Sequence, residues 1–182
     1  HLPTRRQRQM CIRDRSSGYN ALLRQLSDQI QDPFLSAIIV GKYHRAMELK
    51  TELALDPESW MSNIGHSSRS EKIVTILGNL LENALEASAS SGEQKKVCLS
   101  MTDVGNELIF EVEDSGSGIS EDQQKSIFDE GFTTKTGTGR GIGLQLVQKN
   151  LIQLEGHLTV GESSLGGARF TAYIPKTVSK EE

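Results

Sequence analysis

Glycine is poorly suited to the middle of a helix or strand. This chain concentrates it in two runs that abut apparently regular structure. EDSGSGI (113–119) follows an apolar run from Leu108 to Glu113 that reads as a strand. GTGRGIG (137–143) precedes the spacing Ile142, Leu146, Val147, Leu151, which reads as a helix. A carboxylate at a strand end followed by Gly-x-Gly lets backbone and acid group approach a flat ligand closely. Bare amides at a helix N-terminus attract phosphate. Upstream, NLLENALEA (79–87) places Asn79 and Asn83 one turn apart on the same helix face. Asn is a poor helix former, and amide oxygens are hard donors of the kind Mg2+ accepts. The glycine-dotted polar stretch between the two runs has the composition of a lid. Together these features describe a pocket for a nucleotide and its metal.

Other phosphate-binding signatures fail. No Gly-x4-Gly-Lys-Ser/Thr string exists, and neither glycine run has the Gly-x-Gly-x-x-Gly spacing. His-Arg-Asp and Asp-Phe-Gly are absent. With 182 residues the chain is long enough for one domain with a proper core plus appendages. A net charge of −4 argues against nucleic-acid binding. The longest apolar run, Leu35 to Val40, is too short to span a bilayer. Cys11 and Cys98 suggest neither a metal site nor a disulfide framework, so a reducing, cytoplasmic setting is the simplest expectation.

The arginine-rich opening, HLPTRRQRQMCIRDR, has no apolar period and looks like translated sequencing adapter. Residues 1–16 are therefore read as an artefactual or disordered appendage. The chain opens without methionine and is read as a piece of a longer protein. A helical segment, 17–48, carries Leu22, Leu26 and Ile30, then restarts at Asp32-Pro33 with Asp as N-cap. The catalytic unit is placed at 49–176, with a tail at 177–182. Within it, strands are predicted at 51–55, 95–101, 108–113, 157–161 and 168–174. Helices are predicted at 70–89, 121–128 and 141–154, with Ser68 and Glu71 as a capping box for the first. Strands that hairpin together while helices cluster elsewhere imply an α/β two-layer sandwich, a mixed sheet with helices on one face.

The order of these motifs resembles the ATP-binding catalytic domain of two-component sensor histidine kinases. NLLENALEA resembles that family's asparagine box and EDSGSGI its first glycine box. IFDEGFTTK (127–135) is similar to its phenylalanine box, GTGRGIGL (137–144) to its second glycine box, and GGARFTAYIP (166–175) to its closing strand. GKYHRAMELKTELALDPES (41–59) is similar to the citrate- and dicarboxylate-sensing subgroup. Five motifs in register, over about 20–176, are a specific signal.

The resemblance implies the fold shared by histidine kinases, Hsp90 and gyrase, with ATP and Mg2+ as cofactors. Asp114 would accept the adenine amine, although a strand-end Asp also caps its own turn. Gly116 and Gly118 would let the chain approach the base. Asn83 would ligate Mg2+, and Asn79 would support phosphate or water, making these two the catalytic residues. Gly139, Gly141 and Gly143 would cradle the phosphates. Lys135 and Arg140 are read either as phosphate-facing cations or as solvated loop charges. Phe128 and Phe132 would anchor the lid. Glu82 and Glu86 flank the Asn amides and are read as a solvated charged face, with one of them acting as a base as the alternative.

Related ATPases of the superfamily carry Glu where this chain has Asn79, which implies poor water activation. His44 is followed by Arg45 rather than an acidic residue, so the phosphoacceptor is expected outside this chain. The implied partners are histidine-bearing dimerisation helices and a response regulator, with no nucleic acid and no membrane segment here. The parent protein is expected to sit in the inner membrane. Two rivals share these boxes: an anti-sigma-type serine kinase and a non-enzymatic nucleotide-gated binding module.

Overall fold

Asp32 decides where the first helix stops and the second begins. In the computed structural model, which describes residues 15–92, 94–126 and 142–176, α1 spans Arg15–Gln29 and α2 spans Pro33–Glu48. Asp32 is fully buried. Its Oδ1 accepts the amides of Phe34 and Leu35, both at 2.9 Å, and so caps α2. Its Oδ2 accepts the Ile64 amide at 3.1 Å. One carboxylate thus ties the α1–α2 corner to the segment that leads into the next helix.

Five strands follow the order β1-β2-β3-β5-β4: β1 Glu52–Leu55, β2 Lys96–Thr102, β3 Glu107–Asp114, β4 His157–Glu162 and β5 Ala168–Pro175. β1 runs parallel to β2 and the other pairs are antiparallel, so the sheet is mixed. Side chains alternate between its faces. Leu53, Leu55, Val97, Leu99, Met101, Leu108, Phe110, Val112, Phe170, Ala172 and Ile174 are buried on one face. The helices lie against these rows: α3 (Ser68–Ala89) on β2 and β3, α5 (Ile142–Gln153) on α3 and β4, α2 on α3 and β1. The opposite face carries Lys96, Cys98, Ser100, Glu111, Arg169 and Thr171, a polar set that leaves the sandwich two layers thick.

α3 is the central helix. Ile73, Ile76, Leu77, Leu80, Leu81, Ala84, Leu85 and Ser88 line its buried stripe. Its capping box lies one residue earlier than the sequence suggests. Ser67 is the N-cap, and Ser70 at the third helical position reciprocates: the Ser67 amide donates to Ser70 Oγ at 2.8 Å. The phase of the stripe explains the shift, because burial of Ile73 turns Ser70 inward within reach of Ser67, while Glu71 faces solvent. A short helix α4, Glu121–Ser126, follows the first glycine run.

Candidate functional site

The site forms where the C-terminal half of α3 meets the end of β3 and the start of α5. At Asn79, Nδ2 donates to the Thr75 carbonyl at 2.8 Å, which leaves Oδ1 turned toward α5. A Cβ built on Gly143 would lie 3.1 Å from Asn79 Oδ1, 3.7 Å from Asn83 Oδ1 and 3.8 Å from Asn83 Nδ2. The first turn of α5 therefore sits directly on both amides, and a glycine is what allows it. Asn83 Nδ2 is buried and has no hydrogen-bond partner among the described residues. Such an orphan is costly unless a ligand completes it.

One turn further along α3, the first glycine run packs down. A Cβ on Gly116 would come within 2.9 Å of Ala87 Cβ. Serines hold this turn in place. The Ser115 amide donates to Ser88 Oγ at 3.1 Å, Ser88 Oγ to the Lys96 carbonyl at 2.8 Å, and Ser91 Oγ to the Ser115 carbonyl at 2.8 Å. Gly118 has φ +75°, a conformation other residues rarely adopt.

Asp114 is 3% exposed and lies on the helix-facing side of β3, in register with Val97. Its Oδ1 accepts the Gly116 amide at 2.8 Å and the Ala168 amide at 3.1 Å. Burial raises its pKa above the ordinary aspartate value. The two amides pull it down by less, and neighbouring Glu113 adds to the rise. A buried carboxyl with a raised pKa beside a glycine turn is a candidate binding group, and the same Oδ1 caps the turn through the Gly116 amide.

The structure thus brings Asn79, Asn83 and Gly143 together, sets Asp114 and Gly116 one turn further along α3, and places Gly118 against Gly167. Lys135, Gly139, Arg140, Gly141, Phe128 and Phe132 lie outside the described residues. Glu82, read from the sequence as a solvated charge, is instead held by Lys42 Nζ at 2.5 Å and Arg45 Nε at 3.2 Å, both from α2. Burial opposes its ionised form, and the two cations more than offset this, keeping its carboxyl below the ordinary glutamate value. α2 is thereby fastened to α3 at the residue beside Asn83. His44 is exposed, with its ring 5.4 Å from that of Tyr19.

The sequence marks a Ser-Gly turn between β4 and β5 but gives it no part in the site. The Gly167 amide donates to the Asp114 carbonyl at 3.1 Å, and a Cβ on Gly167 would collide with Asp114 Oδ1. The Gly166-Gly167 pair in the closing motif was the signal available.

Among the described residues no group of three His, Cys, Asp or Glu side chains could hold a metal. Any cation here would depend on amide oxygens together with water and phosphate, a ligand set that Mg2+ uses. The two Asn oxygens at the N-terminus of α5 fit a phosphate-bound cation, and the unpartnered Asn83 Nδ2, a donor, fits a phosphate oxygen. The buried Asp114 carboxylate fits the exocyclic amine of a base.

A family model described as "Histidine kinase-, DNA gyrase B-, and HSP90-like ATPase" matches residues 68–178. The chain is 46% identical over 155 residues to the sensor protein CitS of Halalkalibacterium halodurans, covering 85% of this chain and 29% of that protein. It is 33% identical over 150 residues to a probable C4-dicarboxylate sensor kinase of the same organism, covering 81% and 28%. The catalytic domain of histidine kinase ThkA superposes with a TM-score of 0.66 at 26% identity, over 79% of this chain and 91% of that domain. The chain thus spans under a third of the length of these curated relatives.

Proposed function

The chain belongs to the histidine kinase-, DNA gyrase B- and HSP90-like ATPase family, as the ATP-binding catalytic domain of a sensor histidine kinase, and on that premise we propose how its residues divide the work. Asp114 takes the adenine amine, with Gly116 and Gly118 letting the backbone close on the base. Asn83 offers its amide oxygen to a phosphate-bound Mg2+. Asn79, oriented by Thr75, supports the phosphates or a metal-bound water. The first turn of α5, through Gly143, presents its amides to the phosphates. Lys135, Gly139, Arg140 and Gly141 complete the cradle in this reading, on the strength of their place in the second glycine box. When bound, Mg2+ would neutralise phosphate charge, the main requirement in phosphoryl transfer.

The observation that carries the reading is the convergence of two Asn amides, one of them unsatisfied, on the N-terminal turn of α5. Asn79 stands where related ATPases of the superfamily carry the Glu that activates water, and its Nδ2 is committed to the Thr75 carbonyl. The protein therefore positions the γ-phosphoryl group for a nucleophile brought from elsewhere. We place that nucleophile, a histidine, on dimerisation helices outside this chain, with a response-regulator aspartate as the next acceptor. The catalytic unit spans 49–176 and 17–48 leads into it. Among the described residues no helix is long and apolar enough to cross a membrane. The proposed setting is the cytoplasm, with the parent anchored in the inner membrane.

The test uses labelled ATP with this chain alone, with the parent's dimerisation helices alone, and with both mixed. Acid-labile label on the helices, only in the mixture, is the expected result. Acid-stable label on this chain would identify a serine kinase instead, and nucleotide binding without any label would identify a binding module.

A further inference from the structure

Glu113 and Asp114 are adjacent on β3, so their side chains leave opposite faces of the sheet. Both nevertheless hold the same turn. From the open face, Glu113 Oε2 accepts Ser163 Oγ at 3.1 Å, the Ser164 amide at 2.6 Å and Ser164 Oγ at 2.7 Å. From the helix face, Asp114 accepts the Gly167 amide on its carbonyl and the Ala168 amide on Oδ1, each at 3.1 Å.

We propose that Glu113 is a positioning residue for base recognition: it anchors the β4–β5 turn, the turn fixes the Asp114 carboxylate, and Glu113 thereby governs the selectivity of the pocket for adenine over guanine. The proposal rests on the assignment of Asp114 as the base acceptor.

Three observations support it. The turn's own bonds, Ser163 amide to the Gly167 carbonyl at 2.9 Å and Gly166 amide to the Ser163 carbonyl at 3.1 Å, set its shape. The three bonds to Glu113 set its place on the sheet. Glu113 is 3% exposed although it lies on the polar face, because the turn folds over it. A buried carboxylate that accepts three donors is a strong anchor. Finally, Gly167 is packed so closely on Asp114 Oδ1 that even a Cβ would collide. A displaced turn is therefore transmitted directly to that oxygen. Selectivity follows from chemistry: adenine offers an amine donor where guanine offers a carbonyl, so a fixed acceptor accepts the first and repels the second.

Calorimetry of the full 182-residue chain with MgATP and MgGTP tests the inference. Glu113→Ala is expected to weaken MgATP binding about tenfold, the scale of one charge-assisted hydrogen bond, and to narrow the ATP-to-GTP affinity ratio. Glu113→Gln, which keeps an acceptor oxygen, should retain most of the ratio. The double variant Ser163→Ala/Ser164→Ala leaves the strand untouched and should narrow the ratio partway; it carries the comparison if Glu113→Ala does not fold. An unchanged ratio in Glu113→Ala, or in the double variant where that one must be used, overturns the proposal even if both affinities fall together. Asp114→Asn runs in parallel. If it leaves the ratio intact, the base assignment fails and the anchor with it. If it collapses the ratio while Glu113→Ala does not, the anchor alone fails.

Discussion

Asp114 shows how a single binding residue costs the fold. Its pKa is raised chiefly by burial, so the folded chain favours the protonated carboxyl more than the unfolded chain does. The stability linked to it is complete below the ordinary aspartate range and is lost as pH rises through the raised folded value. Asp114→Asn keeps an oxygen to accept the Gly116 and Ala168 amides and removes the charge. Thermal melts of the ligand-free chain should show the Asn variant more stable at pH 7 to 8, with the difference closing below about pH 4. In saturating MgATP the order should reverse, because the variant loses about 1.5–3 kcal/mol of charge-assisted binding. A wild type that is the more stable without ligand at pH 8 would contradict this. Asn83→Ala should act differently. It should lower nucleotide affinity mainly when Mg2+ is present and leave the metal-free affinity close to that of wild type, since one of several cation ligands is lost. Equal losses with and without Mg2+ would remove Asn83 from the metal site. Both residues stand out in the sequence as candidates because each lies in a short motif with its own spacing. Glu113, Gly167 and Ala168 do not, because their roles depend on contacts some fifty residues apart that no local pattern encodes.

Element boundaries were legible where a breaker or a cap fixes them. Asp32-Pro33 opens α2 as its composition suggests, and α3 covers the 70–89 helix with two further residues at its start. What spacing could not supply is which helix faces meet. The fastening of α2 to α3 through Lys42, Arg45 and Glu82 is a tertiary event between residues that each look solvated in sequence. The α3–α5 junction is another, and it yields a prediction. Gly143→Ala would favour the helix by up to about 1 kcal/mol on propensity alone. The new methyl would also press on Asn79 Oδ1 from 3.1 Å. The melting temperature should therefore change little, while MgATP affinity falls about tenfold, as for one lost hydrogen bond. Unaltered affinity would mean that the phosphates do not sit at this junction.

At the scale of the whole molecule, a mixed sheet under one helical layer was foreseen, but the strand order was not. β1 lies outside the 68–178 match yet pairs with β2 as a full member of the sheet. A fragment cut to 68–178 would lose the buried Leu35, Ile39, Leu53 and Leu55. At about 1.5–3 kcal/mol each, that loss rivals the entire ~5–15 kcal/mol stability of an ordinary domain. Circular dichroism should show no cooperative melt for this fragment; a melt within a few degrees of the full chain would refute the estimate. The two carboxylates on opposite faces of β3 carry a further consequence, one of parity. Side chains alternate every residue, so deleting or inserting one residue upstream in β3 would turn the strand over relative to its neighbours. The acid meant for the pocket would then point at the serines, and the acid meant for the serines would point into the pocket, even though every residue type was kept. The 103–106 turn can absorb a single residue, whereas a one-residue change within the paired part of β3 is expected to weaken MgATP binding as Asp114→Asn does.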